Sequence, residues 1–173
     1  HMILPLSNDR DMQTQVIWGL RDFEKRFGRK AEGMWLPETA VDLRSLEALA
    51  EHEIRFTILA PRQAKRVRKK GGKKWKEVNE DNFNNAVPYE CSLPSGRKIV
   101  LFFYNGGVSK DVAYGGLLHS GDNFAGRLLS AFGQEEGPRL VHAATDGESF
   151  GHHHRHGDMA LSYCLHRIVE DQE

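Results

Sequence analysis

Hydrophobic and polar positions along this chain alternate between two periods. Short apolar runs end at Pro, Gly or a polar turn, and longer stretches follow whose apolar residues recur every three or four positions. That succession is the mark of a strand followed by an amphipathic helix. Ile3-Leu4-Pro5-Leu6 reads as a strand end and Asn8-Asp9-Arg10-Asp11 as a capping cluster. Val16, Ile17, Leu20, Phe23 and Phe27 then fall at helical spacing before Gly28 stops the helix. Met34-Trp35-Leu36 reads as the next strand, and Thr39 and Asp42 have the spacing of a capping box for a helix carrying Leu43, Leu46 and Leu49. Phe56-Thr57-Ile58-Leu59, β-branched and aromatic, predicts a third strand. The rhythm resumes at Ile99–Tyr104, apolar enough for a strand buried on both faces. Helices are predicted from near Ser109 and from an Asp122 cap through Phe124, Leu128, Leu129 and Phe132 to a stop at Gly133. Leu140–Ala144 reads as the last strand, and Met159, Leu161, Leu165, Ile168 and Val169 mark a closing helix.

Strands that alternate with helices pair in parallel through right-handed crossovers. The expectation is therefore an α/β chain, a single domain over residues 1–173, with about five strands. That suits a small open sheet or the later portion of a larger barrel. Residues 62–96 break the rhythm with a basic run, Arg62 to Lys76, centred on Gly71-Gly72, and then a polar stretch from Glu77 to Ala86. They are expected to form a surface insertion with a short helix, a turn and a hairpin arm.

Composition narrows the function classes. Lys plus Arg equals Asp plus Glu at 24 each, so no global field argues for nucleic acid or an anionic surface. No apolar run reaches the ~18–20 residues that cross a membrane, and no signal peptide is recognised, so a cytoplasmic protein is expected. Cys91 and Cys164 stand outside any CxxC motif and read as free thiols. The basic run contains one aromatic, Trp75, which leaves few stacking platforms for nucleic acid, and a solvated insertion is the default reading.

In parallel α/β architectures the active site lies beyond the carboxyl ends of the strands. Two carboxylates stand there: Glu38 after Met34–Leu36, and Asp146 after Leu140–Ala144. Glycoside hydrolysis needs such a pair, ~5–5.5 Å apart for retention and ~6.5–9.5 Å apart for inversion. Each also has a structural alternative, since Asp-Gly is a common turn and Glu38 could complement a helix N-terminus. His152, His153, His154 and His156 raise a metal site, but consecutive residues cannot all face one ion and no paired cysteines complete a zinc set. His152 as a sugar ligand in a loop is the preferred reading. His52, His119, His142 and His166 read as structural histidines.

The flanking sequence adds a resemblance. Gly33-Met34-Trp35-Leu36-Pro37-Glu38-Thr39-Ala40 and Ala144-Thr145-Asp146-Gly147-Glu148-Ser149-Phe150-Gly151-His152 resemble two signature regions of glycoside hydrolase family 57, in its amylase-like branch. His1-Met2-Ile3-Leu4-Pro5-Leu6 is similar to the family's segment upstream of the nucleophile. The resemblance implies a partial (β/α)7 barrel, retaining hydrolysis or transfer on α-glucans, and no metal or other cofactor. It implies Glu38 as nucleophile and Asp146 as acid/base, with Trp35, Glu148, His152 and His1 shaping the sugar site. The family's histidine-bearing first signature has no counterpart here. A barrel without its opening strands would expose a strand edge, so a homo-oligomer is expected. Two other classes stay open: a metal-dependent carbohydrate deacetylase using Asp146 and the histidines, and a non-catalytic fragment that binds glycan or polyanion.

Overall fold

The computed structural model describes residues 2–133 and 137–170. They gather into two compact units: His1–Ala60 with Pro88–Phe103, and Pro61–Val87 with Tyr104–Glu173.

The first unit holds a three-stranded sheet and two helices. β1 (Phe56–Leu59) pairs in parallel with β5 (Lys98–Phe103), in the register Phe56↔Val100 to Leu59↔Phe103. β4 (Tyr89–Ser92) closes the other side of β5 as an antiparallel partner. The expected mixed α/β architecture with parallel pairing is thus present. Helix α1 (Asp9–Phe27) begins where the sequence places it, with the Asn8 side chain accepting from Asp11 N. It ends at Gly28, which takes the left-handed φ of 65° that spares a Cβ its clash. Met12 and Val16 turn into the core, and Phe27 is exposed. Helix α2 (Leu43–Glu51) has a capping box displaced by one turn from the expected one: Asp42 accepts from Ser45 N, and Asp42 N donates to Ser45 Oγ. Leu46 and Leu49 are buried with Leu4, Leu36, Ile54, Leu93 and Ile99, and Leu43 is exposed.

Two predicted strands take other forms. Leu4–Leu6 is a turn of 3-10 helix, which Pro5 favours at its start. Met34–Leu36 forms no strand; Gly33 just before it makes a single parallel bridge to Phe56, and Met34 N donates to Phe56 O. A Cβ on Gly33 would lie 2.3 Å from the Phe56 ring, so the absence of a side chain lets that ring lie against the backbone. The segment then leaves the sheet to bury Leu36 completely.

In the second unit, β2 (Arg66–Val67) and β3 (Lys76–Glu77) form the expected hairpin arm as an antiparallel ribbon. The segment after it returns to regular structure earlier than residue 96, since Tyr89–Ser92 is a strand. Helix α3 (Gly106–Ala113) is capped by Asn105 and begins three residues before the expected start at Ser109. Ser120 caps α4 (Gly121–Ser130), and Asp122 stands in its first turn. These two and α5 (Gly157–Glu170) bury Val108, Val112, Phe124, Ala125 and Cys164 with Leu118. Leu140–Ala144, predicted as a strand, is extended without a ladder: Leu140 N donates to Ala86 O, and His142 O accepts from Asn105 N. Cys91 and Cys164 are free, and burial pushes both thiols up from their ordinary range.

The hairpin between β4 and β5 turns at Gly96, whose φ is 84°, and α2 reaches across to hold it. Glu47 accepts from Ser95 N at 2.8 Å and Ser95 Oγ at 2.6 Å. The Ser95 hydroxyl, then its backbone N–H, hold the Glu47 carboxyl below the usual carboxylate range. A carboxyl depressed in the folded state contributes stability above its unfolded value of about 4.3, and that contribution disappears as pH falls through the folded value. Glu47→Gln should therefore melt below the wild type at neutral pH, with the difference shrinking as the pH is lowered through the folded-state value of the Glu47 carboxyl. Thermal melts at neutral and acid pH check this, and an undiminished difference in acid would contradict it.

Candidate functional site

The first candidate segment is anchored by Leu36, which has no exposed surface. Pro37 fixes the next backbone angle, and a 3-10 turn closes through Thr39 N to Leu36 O (2.9 Å) and Ala40 N to Pro37 O (3.1 Å). Inside it Glu38 has φ 58° and ψ 17°, and Thr39 has φ 52°. Two successive residues with a Cβ in left-handed backbone cost ~1–2 kcal/mol each, and such strain clusters at functional sites. Thr39 is β-branched, which makes its angle the rarer of the two. It is nevertheless buried, at 7% exposure, so packing holds the turn. Glu38 is exposed and has neither a hydrogen bond nor an ion pair among the described residues. The surrounding structure thus presents a carboxylate to solvent on a backbone that no local preference would choose. Trp35, three residues earlier, is 51% exposed and rims a hollow of about 280 Å3 beside Met34 and Phe23. It is therefore not the core aromatic that a place on a strand would imply.

The second segment lies in the other unit. Ala144 N donates to Ser109 Oγ at 3.0 Å, and that hydroxyl donates to Asn105 O at 2.9 Å, so α3 fixes the approach to Asp146. Asp146 stands at the N-cap of the 3-10 turn Gly147–Ser149, yet its side chain makes no capping bond. The turn is closed by backbone alone, through Ser149 N to Asp146 O at 3.1 Å. The Asp146 carboxylate is exposed, has no hydrogen bond or ion pair among the described residues, and lines a cleft of about 1020 Å3. Tyr104, Lys110, Tyr114, His153 and His154 line the same cleft.

Glu148 acts here through its backbone, its carbonyl accepting from His152 N at 3.2 Å and His153 N at 2.8 Å. Its carboxylate and His152 are exposed and stand outside the cleft lining. The histidine loop thus offers His153 and His154 to the cleft, rather than the expected His152. His154 Nε2 lies 2.9 Å from Ala113 O, a carbonyl that only accepts, so this nitrogen carries the proton. His1 lies outside the described residues. Among the described residues no three His, Cys, Asp or Glu side chains are grouped to hold a metal ion.

Sequence reading missed the wall of this cleft. Tyr104, Ser109 and Lys110 belong to the loop and first turns after β5, and the early Asn105 cap is the signal that could have placed them. Strain at Glu38 gives a test. Asn tolerates left-handed backbone better than Glu, so Glu38→Asn should keep or raise stability by up to ~1 kcal/mol while abolishing any activity that needs the carboxylate. Chemical denaturation of the variant checks this, and a loss above ~1 kcal/mol would assign the Glu38 side chain a structural duty.

The family model for glycosyl hydrolase family 57 matches residues 1–173. No curated protein matches the chain. Among solved structures, the chain is similar to an exo-type maltose-forming amylase from Pyrococcus sp. ST04, with a TM-score of 0.72 and 14% identity. That match covers 98% of this chain and 27% of the amylase. It is also similar to a 4-alpha-glucanotransferase from Thermococcus litoralis, with a TM-score of 0.62 and 17% identity over 93% of this chain and 22% of the other. The chain thus spans about a quarter of each of these proteins.

Proposed function

The chain belongs to glycosyl hydrolase family 57, and from that premise we propose that it carries the two catalytic carboxylates of a retaining α-glucan hydrolase. Glu38 is the nucleophile and Asp146 the general acid/base. The observation that carries the reading is that both carboxylates are left uncommitted by the fold: Glu38 on a strained left-handed turn, Asp146 at a cap position it does not use, facing a cleft. Protein structure ordinarily gives a carboxylate at a helix cap a backbone N–H to accept.

Double displacement follows from these roles. A Glu38 oxygen attacks the anomeric carbon as Asp146 gives its proton to the leaving glycosidic oxygen, so the C–O bond breaks and a glycosyl ester forms. Asp146, now a carboxylate, takes a proton from water, whose oxygen attacks the same carbon and releases Glu38. A sugar hydroxyl in place of that water gives transfer, the activity named for the Thermococcus litoralis neighbour. Trp35, half exposed beside the nucleophile turn, offers a flat apolar face for a sugar ring. Of the two other readings, a metal-dependent deacetylase has no supporting cluster of ligands among the described residues. No described helix is long and apolar enough to cross a membrane.

The test is release of reducing ends from soluble α-glucan by the wild type, Glu38→Gln and Asp146→Asn. Each variant should lose at least about a hundredfold in rate, the lower end for a removed acid or base. With an activated glucoside, added azide should give the inverted product with Glu38→Gln and the retained product with Asp146→Asn. Equal activity in all three proteins would defeat the proposal.

A further inference from the structure

Nine of the chain's 24 Lys and Arg lie between residues 62 and 76, with no Asp or Glu among them. Since the whole chain also has 24 Asp and Glu, the other fifteen Lys and Arg leave the rest of it net negative by nine. The cations ride on the β2–β3 ribbon, which Val78 N extends by donating to Lys65 O at 2.9 Å. It turns at Lys69–Gly72, where Gly72 N donates to Lys69 O and Gly71 takes a φ of 76°. All nine cations are exposed, and none has an ion pair or a side-chain hydrogen bond among the described residues. Elsewhere Arg26, Arg44, Arg55, Arg97 and Arg127 each rest on a carboxylate. The ribbon therefore concentrates charge that the fold does not neutralise, although carboxylates are in excess in the remainder of the chain.

Trp75 gives this charge some order. The guanidiniums of Arg66 and Arg68 lie 4.9 and 4.8 Å from its ring centroid, so cation–π attraction holds two planar donor groups against one indole. The indole is thereby engaged by the protein's own arginines, and recognition by the ribbon falls to charge rather than to stacking on a base or a sugar. Arg62, at the foot of the ribbon, also lines the cleft that holds Asp146, and so does Lys110 of α3. Within the cleft lining Arg62 and Lys110 are matched by Asp146 and Glu80, so the unmatched positive charge is that of the ribbon itself. A neutral glucan offers this surface hydroxyl acceptors but no charge. A phosphate monoester offers a dianion with three acceptor oxygens, matched to Arg forks and Lys point charges.

We propose that the ribbon and Arg62 bind the phosphate groups of a phosphate-bearing α-glucan and deliver that chain to the cleft at Asp146. The assignment rests on the glycosidase reading of Asp146 and narrows its substrate class.

The experiment measures equilibrium binding of the full chain, as Asp146→Asn to prevent turnover, to a phosphorylated glucan and to the same glucan after phosphatase treatment. The phosphorylated form should bind at least about tenfold more tightly, and about 0.5 M salt should erase the preference. Adding Lys69→Gln, Lys70→Gln, Lys73→Gln and Lys74→Gln should erase it too, and these exposed, unpaired side chains at the ribbon tip leave the melting temperature in place. Equal binding of the two glucans would overturn the proposal. So would an oligonucleotide of equal charge binding tenfold more tightly than the phosphorylated glucan at the same salt, which would make nucleic acid the partner. A retained preference with no hydrolysis of either glucan by the wild type would place the failure in the catalytic reading. Hydrolysis of neutral glucan without any preference would place it in this one.

Discussion

Four consecutive backbone pairs between β1 and β5, from Phe56 with Val100 to Leu59 with Phe103, carry the rest of the first unit. Parallel strands cannot be joined by a tight turn, so residues 60–97 must form a crossover path, and the ladder is bought with that long loop closure. The register then decides what is buried. Thr57 and Leu59 face inward at 0% and 3% exposure, and a slip of one residue would turn Phe56 and Ile58 inward instead. Gly33 makes a single parallel bridge to Phe56, and the phenyl ring takes the space a Cβ would need. After that bridge the chain leaves the sheet, buries Leu36 and leaves Glu38 exposed. Glu47 pins the hairpin that brings β4 to the other side of β5.

The two candidate carboxylates show how a fold can keep a side chain free. Strain does it at Glu38: buried Leu36 and Thr39 on either side hold two left-handed residues, which over-determine a turn that neither would adopt alone. Redundancy does it at Asp146, where backbone bonds close the 3-10 turn and the carboxylate is spared. The Ser109 hydroxyl fixes the strand-like approach in place of a ladder partner. Both devices stabilise the position of the backbone while leaving the carboxylate its lone pairs.

Much of this was legible in the residues, for reasons that differ from element to element. Helix periodicity and the Asn8 and Gly28 signals mark α1 at both ends because a cap and a stop are local chemistry. β1 and β5 are legible because strands buried in a parallel sheet are continuously apolar. Met34–Leu36 satisfies itself by burying Leu36 alone, and Leu140–Ala144, with Leu140 exposed, is tied down by scattered backbone bonds and the Ser109 hydroxyl, so composition could not separate either from a ladder strand. β4 hid in a polar stretch, since Tyr89–Ser92 buries little on either face. The places of Glu38 and Asp146 after apolar runs were visible. The left-handed angles were not, because neither Glu38 nor Thr39 is a residue type that favours them. The cleft wall depends on where α3 begins, and one Asn among several polar residues is a weak marker of that.

The chain belongs to glycosyl hydrolase family 57, and the role proposed for Glu38 requires one chemical event, a covalent bond between its carboxylate and a sugar. Incubation with a fluorinated glucosyl fluoride, which forms the glycosyl ester quickly and releases it slowly, followed by peptide mass spectrometry, reads that event directly. A single labelled peptide with the sugar on Glu38 is expected, and no label in Glu38→Gln. A label on another residue, or turnover of the reagent by protein that never carries a label, would contradict it.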